Sequence, residues 1–269
     1  MIDVVLRTSA VLVAGFALAG IFTSRSAAVR HWIMAASLLG AVAVVPASWV
    51  TPVWTIAVPP ISSMRAAAAE PSTPAATTAG PVHHATAPAP ASASPLPLGV
   101  LVWGAGCLAA LAIVGIGIAR LSRLSAAATE VTDERWRALA SAVGDTYRLR
   151  RQVILLEADA PYVPATWGAR RPRVLLPPRA RDWSDARRHA VLCHELAHVA
   201  RADWLVQLAV QLVVALLWFN PLAWVAAREL RRAAEQACDD AVLDRGVEAA
   251  DYAMHLVALA RDCRRPSWA

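Results

Sequence analysis

The sequence predicts a mainly α-helical, polytopic membrane protein. It adds a small water-facing domain with a short β-hairpin and a re-entrant helical hairpin. Three observations lead there. Hydrophobic residues make up 57% of the chain and charged ones only 17%, against about 25% charged in an average soluble domain. Several apolar runs reach the ~20 residues that a spanning helix needs, and mean hydropathy is +0.45. Between residues 120 and 188 lies an arginine-rich, proline-punctuated segment whose short apolar runs read as strands.

The net charge is +6 and all 26 basic residues are Arg. They flank apolar segments, where anionic headgroups receive them, and no nucleic-acid motif accompanies them. The expected partner is therefore the lipid bilayer and not nucleic acid. The absence of Lys excludes chemistry that needs a reactive amine, a Ser-x-x-Lys acylation site included. Cys107, Cys193, Cys238 and Cys263 form no dense framework and read as free buried thiols.

Residues 1–50 hold two spanning runs, 4–22 and 32–50, joined by a short loop with Arg25 and Arg30. Arg7 snorkels from the first run to the interface. A cleavable signal peptide fits that run poorly, because its basic start is weak and a second span follows closely. Residues 51–95 are rich in Ala, Pro, Ser and Thr. Such a stretch buries too little apolar surface to offset its ordering entropy, so it reads as a flexible extracytoplasmic linker. His83 and His84 within it lack neighbouring ligands. Residues 96–119 form a third span whose glycines allow close helix packing. Arg25, Arg30, Arg120 and Arg123 mark the cytoplasmic side, and the linker, with Arg65 alone, faces outward. This sets residues 120–262 inside a cytoplasmic (inner) membrane, with a tail at 263–269. In that domain 134–146 reads as a helix, and the runs 152–156 and 173–176 as strands of a small hairpin.

Ser184 is placed to cap a helix containing His194-Glu-Leu-Ala-His198. Histidines four apart share a helix face and reach one Zn²⁺, and the adjacent Glu195 is placed to take a proton from an attacking water. A third ligand must come from elsewhere. The apolar run from Trp204 to Phe219 ends at Asn220-Pro221, a strong N-cap followed by a favoured first helical residue. Were 204–235 a single spanning helix, Glu235 would emerge across the bilayer from His194. A hairpin turning at Asn220 has arms of about 27 and 21 Å and returns Glu235 to the histidines as third ligand. Asp239, four residues on, is expected to orient a ligating His through its second ring nitrogen. Asp240 competes for that role but sits about 100° further round the helix. His189 lies off the ligand face. Cys193 and Cys238 are read as pointing away from it, and Gln207 and Gln211 as partners in an interhelical hydrogen bond.

Taken together, Pro164-Ala-Thr-Trp-Gly168, Arg173-Val-Leu-Leu-Pro177, the His194–His198 motif with Arg201-Ala-Asp-Trp204, Trp218-Phe-Asn-Pro-Leu-Ala-Trp224 and Glu235-Gln-Ala-Cys-Asp-Asp-Ala-Val242 resemble the BlaR/MecR family of membrane metallopeptidases. The resemblance covers about 96–260 and, more loosely, the first two spans. It implies a gluzincin-like zinc protease facing the cytoplasm that cleaves a BlaI/MecI-like transcriptional repressor in antibiotic-response signalling. Drug-sensing relatives carry a further span and an outer penicillin-binding domain with a Ser-x-x-Lys nucleophile. This Lys-free sequence, ending at Ala269, is expected not to bind β-lactams covalently, as a minimal or truncated member. Two rival readings are a quality-control protease of the HtpX/prenyl-endopeptidase type, and a non-catalytic signalling partner that keeps the fold. The second predicts loss of Glu195 or a ligand, and all are present.

Overall fold

A computed structural model describes residues 2–22, 26–47, 98–158 and 164–263. Arg25, the 51–95 linker with its His83-His84 pair and residues 264–269 lie outside them. Among the described residues three helices are long and apolar enough to cross a membrane: α1 (Ile2–Ile21), α2 (Ala27–Ala47) and α3 (Leu98–Ala127). The third runs past the expected 96–119 boundary through Arg120 and Arg123. At 30 residues it extends about 45 Å, more than the ~30 Å hydrocarbon core.

The domain follows as β1 (Thr129–Glu130), α4 (Glu134–Thr146), β2 (Ile154–Glu157), β3 (Ala165–Trp167), β4 (Arg173–Leu176), a short 3-10 turn, then α5 (Asp185–Arg201), α6 (Asp203–Leu216), α7 (Pro221–Leu243) and α8 (Ala249–Cys263). The expected hairpin of the 152–156 and 173–176 strands is not what forms. β2 and β4 pair in parallel, Ile154 opposite Arg173 and Glu157 opposite Leu176. Parallel neighbours need a crossover rather than a tight turn, and the intervening link is long enough to supply one. That link itself contributes β3, which pairs antiparallel with β4, Thr166 opposite Val174. The β-hairpin is thus β3–β4, and the sheet order is β1-β2-β4-β3 with β3 at an edge. Gly168 allows the turn: its φ is +94°, and a Cβ there would stand 2.7 Å from the Arg171 carbonyl oxygen.

The sheet and α4 form one core with α5. Trp136 and Val143 from α4, Val174 and Leu176 from β4, and Leu192 and Leu196 from α5 are all buried in it. Ser184 caps α5 by accepting from the Arg187 amide.

A second core ties the membrane helices to the hairpin α6–α7. Leu12, Met34 and Leu38 pack against Val213, Val214 and Leu217, and against Ala223, Ala226 and Leu230 of α7. The hairpin turns where the sequence places the break. The Asn220 side chain accepts from the Leu222 amide at 3.0 Å, and Pro221 takes the first helical position. Asn220 is also 1% exposed, and its amide donates to Thr8 Oγ1 at 3.3 Å and Ser9 Oγ at 3.2 Å on α1. α3 docks on the same turn. Trp103 donates to the Leu216 carbonyl at 3.0 Å and Trp218 to the Trp103 carbonyl at 3.2 Å. Gly106 leaves room for the Trp218 ring, which an added Cβ would meet at 2.1 Å.

Asn220→Ala removes the cap and both bonds to α1. Loss of a cap alone costs about 1 kcal/mol, so the unfolding midpoint in detergent should fall clearly. A midpoint equal to that of the parent chain would contradict the anchoring role.

Candidate metal centre

α5 carries His194 and His198 one turn apart, with ring centroids 4.9 Å apart and nearly perpendicular. α7 returns Glu235 to them. His194 Nε2 and His198 Nε2 are separated by 3.2 Å, and Glu235 Oε2 lies 3.5 Å from the first and 3.7 Å from the second. Bonds of about 2.0–2.1 Å at tetrahedral angles hold ligand atoms roughly 3.3–3.4 Å apart. The three donors therefore fit one small tetrahedral cation.

The far side of each imidazole meets a carboxylate. Asp239 Oδ1 stands 3.1 Å from His194 Nδ1, the neighbour expected from the four-residue spacing after Glu235. Asp203 Oδ2 stands 2.9 Å from His198 Nδ1. A carboxylate only accepts, so each Nδ1 carries the proton and each Nε2 turns its lone pair to the shared point. Arg201 Nε donates to Asp203 at 3.1 Å, and the Tyr252 hydroxyl of α8 donates to Asp239 at 2.7 Å. Burial lowers the affinity of His194 for a second proton, but hydrogen bonds to Asp239 and Glu235 outweigh it and push its pKa up to about 9. His198, pulled down by burial and held by Asp203, Cys238 and Glu235, is pushed up to about 12. A cation entering here displaces those protons.

Asp203 and Thr166 fall inside the motifs that carry the family resemblance, but the sequence assigns no role to either or to Tyr252. Asp203 is 4% exposed and reaches His198 because Ala202 adopts a left-handed conformation, φ 56° and ψ 34°, closing α5 and opening α6. The two helices bend by 58° there. A signal did exist: Asp203 is the lone acid between Glu195 and Glu229, and a lone acid in so apolar a stretch needs a partner. Thr166 of β3 donates its hydroxyl to Glu195 Oε2, and Glu195 is 7% exposed. Nothing local in the sequence joins those two.

Two expectations need correction. Cys238 faces the site: it is fully buried, with Sγ 3.3 Å from His198 Nδ1 and 3.7 Å from Asp203 Oδ2. Three residues advance 300°, which leaves Cys238 only about 60° from the Glu235 face. Among the described residues Gln207 makes no interhelical bond; both its amide atoms are buried without a partner there, and it lines the cavity beside the histidines. Cys193 does point away, into the α5 core near His189, and Asp240 is exposed.

The donors and Glu195 open onto a cavity of about 900 Å³ bounded by β3, the segment before β2, and α5 to α7. This is a cleft with a buried carboxylate beside a candidate cation site, a layout compatible with metal-assisted hydrolysis.

Comparison with known proteins identifies the family. Residues 1–266 match the family described as the BlaR1 peptidase M56. A stretch of 96 residues is 36% identical to the regulatory protein BlaR1 of Bacillus licheniformis; it covers 36% of this chain and 16% of that relative. The chain belongs to the BlaR1 peptidase M56 family.

Proposed function

We propose that the protein is a zinc-dependent membrane endopeptidase that hydrolyses a peptide bond in a cytoplasmic regulatory protein, a BlaI/MecI-like repressor by resemblance to its family. The observation that carries this is the donor triangle of His194, His198 and Glu235, whose sides of 3.2, 3.5 and 3.7 Å suit tetrahedral zinc. Zinc, when bound, supplies Lewis-acid chemistry, polarising a carbonyl and acidifying water.

The chain's own residues do the rest. Glu195 takes a proton from the water that attacks the scissile carbonyl carbon and delivers it to the leaving amide nitrogen as the C–N bond breaks. Thr166 fixes the Glu195 carboxylate by its hydrogen bond. Asp239 and Asp203 keep both imidazoles in the tautomer that presents Nε2. β3, an edge strand holding Thr166, offers its outer backbone groups to an extended peptide. Arg30 and the arginines at the end of α3 support a cytoplasm-facing site.

Metal analysis and repressor cleavage by the purified chain test this reading. Glu195→Gln should keep zinc and lose hydrolysis by at least about 100-fold, whereas His198→Ala should lose zinc. Equal zinc in His198→Ala and the parent would overturn the site, and full cleavage by Glu195→Gln would overturn the mechanism. Asp203→Asn should weaken zinc affinity by about 10–100-fold, read by competition with a chelator. An unchanged affinity would remove Asp203 from its orienting role.

A further inference from the structure

Away from the metal donors, the cavity is lined by one sign of charge. Arg148, Arg150 and Arg151 rise from the segment between α4 and β2, and Arg170 from the β3–β4 turn. Arg231 lies on α7, one turn before Glu235. The acids among the described lining residues are Glu195, Asp203 and Glu235, all occupied at the metal centre.

Elsewhere in the domain arginines meet carboxylates, as Arg181 does Glu157 and Arg188 does Asp185. Arg148, Arg150, Arg170 and Arg231 are exposed and make no ion pair among the described residues. Arg151 instead donates to the Ala169 carbonyl, tying together the two loops that carry the cations. Arg148 moreover holds φ 53°, a conformation that glycine adopts far more readily at a helix end. Local strain at a position that presents a charge to a cleft points to use of that charge.

From this arrangement we infer that the cleft selects acidic substrate: carboxylate side chains on both sides of the scissile bond pair with Arg148, Arg150, Arg151, Arg170 and Arg231. The inference rests on the proteolytic reading and adds the substrate class. Anionic lipid headgroups share this chemistry, but the placement favours a peptide. The cations stand on two loops joined by Arg151 and on α7, around one concavity beside His194 and Glu195. An extended peptide crossing the cleft meets both groups. Exposed pairs are individually weak and screened by salt, so the effect lies in recognition and in salt dependence.

The test uses the full-length, zinc-loaded chain and two fluorogenic peptides with the same scissile residues, one flanked by Asp and Glu, the other by Asn and Gln. The acidic peptide should have a kcat/KM at least about tenfold higher at low salt, carried by KM, with the advantage collapsing near 0.5 M salt. Arg150→Glu with Arg231→Glu should reverse the preference toward a peptide flanked by Arg. Equal turnover of both peptides at all salt concentrations would overturn the inference and leave the protease standing.

Binding is measured separately by anisotropy with labelled peptides and the zinc-loaded Glu195→Gln chain. Tighter binding of the acidic peptide, with no cleavage by the parent, would support the inference and fail the protease. A third arm compares vesicles of zwitterionic and anionic lipid. Should the double charge reversal weaken vesicle binding yet leave peptide preference intact, the arginines serve the bilayer and the inference fails.

Discussion

Glu235 Oε2 meets the Nε2 atoms of His194 and His198 only because the chain reverses direction between Leu216 and Pro221. A carboxylate on a helix that crossed the membrane would be about 30 Å away. The reversal takes place among apolar helices, where an unpaired backbone amide costs several kcal/mol. Asn220 offsets that cost with its side-chain oxygen, which accepts from the Leu222 amide in the first turn of α7, while its own side-chain amide donates to hydroxyls of α1. α3 and α1 both contact this one turn, so the packing of the apolar helices and the placement of Glu235 share one anchor.

The other constraint is orientation. A ligating imidazole can rotate, and its two nitrogens are chemically alike until a neighbour distinguishes them. Here the neighbours come from different places. Asp239 lies one turn beyond Glu235, so the spacing that brings one carboxylate to the Nε2 atoms brings a second to His194 Nδ1. Asp203 is delivered by a break in the helix at a residue, Ala202, that ordinarily avoids the left-handed region. Such a conformation costs roughly 1–2 kcal/mol, and the Asp203 contacts with His198 and Arg201 offset it.

What the sequence made legible was local chemistry. Ser184 and the Asn220-Pro221 pair announce helix starts, because capping depends on residues within one turn. His194, His198 and Glu195 are readable for the same reason, and Glu235 followed from the hairpin that Asn220 implies. Strand partnership was not legible: β2 and β4 look alike whether they pair in parallel or antiparallel, and β3 hides in a link dominated by turn residues. Tyr252 and Thr166 reach the site through tertiary contacts alone. Ala202 carries no turn signal, so the bend that recruits Asp203 was invisible even though the acid itself stood out.

One further property follows from the length of α7. Its first half packs among the membrane helices through Ala223, Ala226 and Leu230, and its second half carries Glu235 and Asp239. The span from Pro221 to Glu235 is about 21 Å of stiff helix, so a small change in its angle is magnified at its far end. Tilting it by about 5° sweeps Glu235 through roughly 2 Å, ten times the ~0.2 Å within which metal–ligand distances are held. A tilt of α7 against α5 would therefore change the donor triangle directly, and the bond that Arg30 of α2 donates to Gln236 at 2.7 Å, one residue past Glu235, holds the far half of α7 in place.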